Sequence, residues 1–217
     1  MKVLIMDVFG TLFDVTQVAE TLERHFPGNG EEISQLWRQK QIDYAFRRQI
    51  TGDYKSFEHV TREALQHSLL SYDLHVKEDT LDELASAYNT LPLFPEVKEV
   101  LTKLSSKPKA LLSNGTPSML ESLLYQEKIQ DEFSHVLSVD RIKQYKPAPS
   151  TYLYALQELK VSREDVLFVS TNPWDIIGAK TFGFQTLWIN RSEATFDVAD
   201  YKPDFESEDL TILLKEF

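Results

Sequence analysis

Cysteine is absent from the 217 residues, which excludes disulfides, thiol nucleophiles and thiolate metal sites. No stretch approaches the ~20 apolar residues that a membrane span requires. The run Val3-Leu4-Ile5-Met6 is stopped by Asp7, too soon for a signal peptide. Positive charge is in deficit: 23 Lys and Arg face 34 Asp and Glu, for a formal net charge of −11. That balance argues against a nucleic-acid partner or an anionic membrane surface. An anionic substrate would need a locally basic pocket. Three motifs are also missing: the Gly-x-Ser-x-Gly elbow, the Gly-x-Gly-x-x-Gly turn and the Walker lysine loop. The histidines His25, His59, His67, His75 and His135 lie outside every motif discussed below. A Ser-His-Asp hydrolase and a nucleotide cofactor are therefore disfavoured. No internal repeat or low-complexity tract occurs, and the chain is expected to be cytoplasmic.

What is present is an ordinary globular composition, 42% apolar and 12% aromatic. The length suits one large domain, or one domain carrying an insert, and buries roughly 70% of the unfolded surface. Lys2 to Val8 is a continuous apolar run of strand length, as expected for a buried parallel strand. From Val15 to about Asn89 the periodicity is helical, with Ile33, Leu36, Trp37 and Tyr44 on the second stretch and no convincing strand. Leu91-Pro92-Leu93-Phe94-Pro95 then breaks the pattern, since two prolines in five residues cannot continue a helix. Beyond it, helical faces alternate with strands at Ala110–Leu112, His135–Val139, Val166–Val169 and Thr186–Ile189. Such alternation predicts an α/β fold: a doubly wound parallel-sheet (Rossmann-like) core with an all-helical cap inserted after the first strand. The expected division is residues 1–14 and 92–217 for the core and 15–91 for the cap. The run Glu31-Glu32 and the acidic tail of Asp204, Glu206, Glu208 and Asp209 read as solvated faces.

Ligands of open α/β sheets bind outside the carboxyl ends of the strands. That rule selects four segments: Asp7-Val8-Phe9-Gly10-Thr11-Leu12, Ser113-Asn114-Gly115-Thr116, Lys146-Pro147 and Ser170-Thr171-Asn172-Pro173-Trp174-Asp175. Together they would bring an acid, a hydroxyl–amide pair, a base and a second acid to one place. Each alone has a plain structural explanation. Asp7 could cap a turn, Lys146 could be a surface loop lysine, and Asp175 could favour a helix dipole. Arg38 could be solvated, while Trp174, Phe57 and Tyr152 could be core aromatics.

Taken in order, these segments resemble the four motifs of the haloacid-dehalogenase superfamily, over nearly the whole chain. Trp37-Arg38-Gln39-Lys40-Gln41, Ser170-x-Asn172-x-Trp174-Asp175 and Trp188-Ile189-Asn190-Arg191 are similar to segments of its L-2-haloacid dehalogenase branch. Most of the superfamily moves phosphoryl groups with Mg²⁺, using a second Asp two residues after the nucleophile. Here that position is Phe9, which cannot transfer a proton, and Ser170-Thr171 stands where the phosphatase pattern has Gly-Asp. A hard cation wants carboxylate ligands, so no catalytic metal and no cofactor are expected. The alternative is a Mg²⁺-dependent small-molecule phosphatase of the same fold.

The resemblance implies Asp7 as the nucleophile that displaces halide from carbon and forms an ester, inverting that carbon. Water then attacks the ester carbonyl, so an L-2-haloacid would yield a D-2-hydroxyacid. Lys146 would pair with Asp7, and Asp175 would activate or position the water with Asn172 and Ser170. Thr11, Ser113 and backbone N–H groups of a helix start after Asp7 would bind the substrate carboxylate. Arg38 and Asn114 would cradle the halide, with Phe9, Ile42, Phe57 and Trp174 as apolar walls and Tyr152 beside Lys146. The family usually has Tyr where Phe9 stands. The expected partner is a small anionic substrate. The family is often dimeric, so a homodimer is possible, but no feature of the sequence marks a dimer face.

Overall fold

In the computed structural model, which describes residues 2–198 and 200–216, the first strand β1 (Val3–Met6) is followed by four helices. These are α1 (Val18–His25), α2 (Gly30–Thr51), α3 (Phe57–Ser71) and α4 (Glu78–Ala85). The chain then alternates through α5 (Val97–Lys103), β2 (Lys109–Ser113), α6 (Pro117–Glu127), β3 (His135–Ser138) and α7 (Pro149–Leu159). It ends with β4 (Val166–Ser170), α8 (Pro173–Phe182), β5 (Gln185–Ile189), β6 (Phe205–Ser207) and α9 (Leu213–Glu216).

The strands form one sheet of order β3-β2-β1-β4-β5-β6, paired in parallel throughout. Strands alternate their side chains between two apolar layers, as the period of two requires. Leu4, Met6, Leu111, Leu167 and Val169 face one cluster, which continues through α5, α6 and the four helices after β1. Val3, Ile5, Leu112, Val166 and Phe168 face the other, under α7 and α8. Both faces are covered, so the strands read as unbroken apolar runs rather than as alternating ones.

Local chemistry sets the helix ends. Thr116 accepts a hydrogen bond from the Met119 N–H, and Pro117 follows at the first helical position of α6. Ser56 caps α3 through the His59 N–H. The chain enters and leaves the helical segment 15–91 side by side: the Asp14 N–H donates to Pro92 and the Phe94 N–H to Leu12. No helix among the described residues is long and apolar enough to cross a membrane.

Two expectations need correction. The segment after Asp7 does not start a helix. Gly10 adopts φ +85°, the N–H groups of Thr11, Leu12 and Phe13 all donate to the Val8 carbonyl, and α1 begins only at Val18. A tight loop therefore replaces the anticipated helix start, with the N–H groups of residues 10–13 bonded inside it. The acidic tail is not simply solvated. Asp204 pairs with Lys180 and accepts from the Thr186 N–H at 2.8 Å, and Asp209 caps a turn through the Thr211 N–H at 2.8 Å. Glu206 accepts from Asn190 at 2.7 Å.

Candidate active site

β1 and β4 are neighbours in the sheet, while their crossover connections leave in opposite directions. Their carboxyl ends therefore flank the switch point at which doubly wound sheets bind ligands. Asp7 extends the β1 register by one residue, its N–H donating to Val169 at 2.9 Å. Asp175 lies in the first turn of α8, five residues beyond the end of β4.

Between the two carboxylates stands the ammonium of Lys146, wholly buried. Its Nζ donates to Asp7 Oδ1 at 2.8 Å, to Asp175 Oδ2 at 2.6 Å and to the Leu112 carbonyl at 2.9 Å. Burial works against a charged lysine, but Asp175 and Asp7 outweigh it, and its pKa lies above the ordinary value. The second oxygen of Asp7 accepts from Thr11 Oγ1 and Asn172 Nδ2, each at 2.9 Å, and lies 3.4 Å from Ser170 Oγ. Asp175 is fixed at its other oxygen by the Tyr152 hydroxyl at 2.7 Å. Burial, with Asp7 adding its charge and Lys146 opposing, pushes the Asp175 carboxyl up to about 6. The Tyr152 hydroxyl is itself raised well above its usual range, by burial and then by Asp175.

Above Asp7 lies a small cavity lined by Phe9, Arg38, Ile42, Phe46, Asn172 and Trp174, together with Ala45, Phe57 and Asn114. Arg38 reaches it from α2, its Nη2 lying 3.3 Å from Asn172 Oδ1 and 3.4 Å from the Phe9 carbonyl. Asn114 accepts from the Lys146 N–H at 2.9 Å through Oδ1, which leaves its NH₂ end as the available donor. The indole N–H of Trp174 is buried and lacks an acceptor among the described residues. Phe9 packs 5.5 Å from Phe57 and lies over Gly115, where a Cβ would come within 2.7 Å of the ring. The motif glycine is thus needed for that close approach. Arg191 donates to the Thr11 carbonyl at 3.0 Å and to Glu96 at 2.6 Å, bracing the loop after Asp7.

The expected residues thus fall into two groups. Phe9, Arg38, Ile42, Phe57, Asn114, Asn172 and Trp174 line the cavity with Asp7. Thr11, Ser113, Lys146, Tyr152, Ser170 and Asp175 form a buried layer behind it. Thr11 gives its proton to Asp7 and accepts from the Thr171 N–H at 3.0 Å. Ser113 accepts from the Gly115 N–H at 3.1 Å and does not line the cavity. Sequence reasoning missed Phe46, which lines the cavity, Tyr88, whose buried hydroxyl lies beside the Arg38 guanidinium, and Gln41. Gln41 interrupts the buried stripe Trp37–Gln41–Ala45 on α2, and a polar residue on a buried face was the available signal.

A divalent cation does not fit this donor set. The space between the carboxylates is taken by an ammonium that bonds both, and among the described residues no three His, Cys, Asp or Glu converge as ligands.

Fold and site together define a doubly wound sheet whose first strand ends on a buried carboxylate bonded by a lysine. Residues 1–183 match the family model of the haloacid dehalogenase-like hydrolases, and the chain belongs to that family. It is 43% identical over 190 residues to the (S)-2-haloacid dehalogenase of Xanthobacter autotrophicus, covering 88% of this chain and 75% of that one. It is 41% identical over 201 residues to haloacetate dehalogenase H-2 of Moraxella sp. (strain B), covering 92% and 90%. The solved structure of L-2-haloacid dehalogenase from Xanthobacter autotrophicus with chloropropionic acid covalently bound superimposes with a TM-score of 0.93. There the identity is 36%, covering 99% of this chain and 97% of that one.

Proposed function

We propose that the protein hydrolyses short-chain L-2-haloacids to D-2-hydroxyacids through an ester on Asp7, without a metal. The observation that carries this reading is the pairing, at one cavity, of a carboxylate held by Lys146, Thr11 and Asn172 with a facing Arg38 and no proton donor at Phe9. Asp7 attacks the carbon bearing halogen from the side opposite the leaving group. A C–O bond forms as the C–halogen bond breaks, and the pair of electrons leaves with the halide. Arg38 and the NH₂ of Asn114 stabilise that departing charge, in a site walled from water by Ile42, Phe57 and Trp174. Water then adds to the carbonyl carbon of the ester, expelling the hydroxyacid and restoring Asp7.

Asp175 accepts the water's proton through Ser170. That hydroxyl sits 3.4 Å from both Asp7 Oδ2 and Asp175 Oδ2 and has one proton, so it can serve only one of them at a time. Residues 15–91 act as a cap: α2 supplies Arg38, Ile42, Ala45 and Phe46 to the cavity, and α3 supplies Phe57.

The test is halide release from each enantiomer of 2-chloropropionate, with and without EDTA. Release from the L enantiomer alone, unaffected by chelation and lost in Asp7→Ala, is the expected result. Phosphate-ester cleavage that needs Mg²⁺ would overturn it.

A further inference from the structure

Arg38 is the one cationic residue among the described lining residues of the cavity. Long side chains at such positions need something to aim them, and an arginine held by a carboxylate would have its charge answered before any ligand arrived. Each group that Arg38 meets is instead neutral: Asn172 Oδ1, the Phe9 carbonyl and Gln41 Oε1, with the buried Tyr88 hydroxyl also beside the guanidinium. The first two are long contacts to Nη2. The Gln41 contact is a short one to Nη1, at 2.6 Å, from a residue one turn along α2 and wholly buried.

The orientation of the Gln41 amide is fixed from behind. Its Nε2 donates to Thr61 Oγ1 at 2.7 Å. Thr61 Oγ1 has already given its proton to the Phe57 carbonyl at 2.7 Å, so it can only accept. The NH₂ end of Gln41 must therefore face Thr61 and the carbonyl end must face Arg38. Trp37 pins the same residue from α2, its indole N–H donating to the Thr61 carbonyl at 2.7 Å. The relay runs from the α3 backbone through a hydroxyl and an amide to one guanidinium nitrogen, and it leaves Nη2 loosely held toward the cavity.

We propose that Gln41 is a positioning residue that aims Arg38 at the anion in the cavity while leaving its charge unopposed. The anion's identity as halide rests on the dehalogenase reading above. A glutamate at this position would keep the size and the bond to Arg38, but it would set a buried counter-charge against the guanidinium and find no donor at Thr61. A methionine would lose the bond and keep the charge.

Bromide titration of the full-length protein, read by tryptophan fluorescence because Trp174 lines the cavity, tests this without requiring turnover. The ionic strength is held constant, and halide release by wild type is measured in parallel. Affinity should fall in the order wild type, Gln41→Met, Gln41→Glu, with the last weaker by about tenfold or more and KM for 2-chloropropionate rising in step. A purely structural role demands the reverse order, since Glu is the closer match in shape. Should Gln41→Glu fail to fold, the isosteric Thr61→Val, which lets the amide turn over, should weaken bromide by about threefold. Wild-type bromide binding without saturation, the reverse order, or a Thr61→Val variant matching wild type would each overturn the proposal. Absence of halide release by wild type would instead overturn the dehalogenase reading, with the bromide series still deciding the role of Gln41.

Discussion

Lys146 shows how a side chain ordinarily found at the surface becomes the centre of a buried site. Two carboxylates and a backbone carbonyl hold its ammonium, and the cost of removing three charges from water is offset only because each is bonded. Asp175 carries the strain of that arrangement, its carboxyl pushed up to about 6 chiefly by burial. The proposed role of Asp175, taking the water's proton, requires it to be ionised, so kcat for halide release should fall on the acid side with an apparent pKa near 6. Stability runs the other way. The folded chain binds this proton more tightly than the unfolded one, so the contribution of Asp175 to stability is greatest below about pH 4 and declines as pH rises toward 6. Urea unfolding of wild type and Asp175→Asn across that range should show wild type losing ground, by an amount on the order of 3 kcal/mol. Wild type gaining ground would contradict the raised value. The residues at stake here were legible in the sequence, because Asp7, Lys146 and Asp175 each follow a strand or loop in a recognisable motif. Gln41, Phe46 and Tyr88 were not, since their places beside the site come from how α2 and its neighbours pack against the motifs. Thr11 gives its proton to Asp7 and accepts from the Thr171 N–H, and Ser113 accepts from the Gly115 N–H, contacts that no spacing in the sequence marks.

At the scale of elements, what could be read depended on burial. β1, β2, β4 and β5 are covered on both faces and appear as apolar runs, so their positions followed from composition alone. β6 is three residues, Phe-Glu-Ser, at the edge of the sheet, and it owes its existence to backbone pairing with β5 rather than to any apolar pattern. The loop after β1 is a tight turn at Gly10 rather than the start of a helix, and the helical periodicity begins only from Val15 onward. Close packing between helices leaves equally little trace in the sequence. Gly178 of α8 faces α7 and the Lys146-Pro147 loop, and a Cβ there would stand 2.4 Å from Pro147 Cβ and 2.6 Å from the Tyr152 hydroxyl oxygen. Gly178→Ala improves helix propensity by about 1 kcal/mol, yet the crowding should cost about 1–3 kcal/mol and displace the groups that hold Asp175 and Lys146. We expect a lower thermal midpoint together with a drop in kcat of about tenfold or more. A variant stabilised by the substitution, with full activity, would show that α8 and the loop can separate freely.

For the molecule as a whole, the cavity lies between the helices after β1 and the carboxyl ends of the strands, and its volume is about 20 Å³. That suffices for about one water molecule, so we expect these walls to move apart when a haloacid enters. Polar links cross the same boundary: Gln49 Nε2 to Gln144 Oε1 at 2.7 Å, the Tyr145 N–H to Gln49 Oε1 at 2.6 Å, and the Tyr54 hydroxyl to Asp140 at 2.6 Å. Each bond lies near the loop that delivers Lys146, so opening the cavity far enough for a larger acid would strain the site that must act on it. The apolar end is closed by Phe46, whose ring meets Trp174 edge-on at 5.4 Å between centroids. Extending the substrate beyond 2-chloropropionate should therefore lower kcat/KM by about tenfold for each one or two methylenes, within the range a single methylene commands in an apolar pocket. Phe46→Ala removes the half-buried ring that blocks the chain while leaving Asp7, Lys146 and Arg38 in place. The ratio of kcat/KM for 2-chlorohexanoate to that for 2-chloropropionate should rise by about tenfold or more in this variant. An unchanged ratio would mean that the alkyl chain leaves the cavity by another wall.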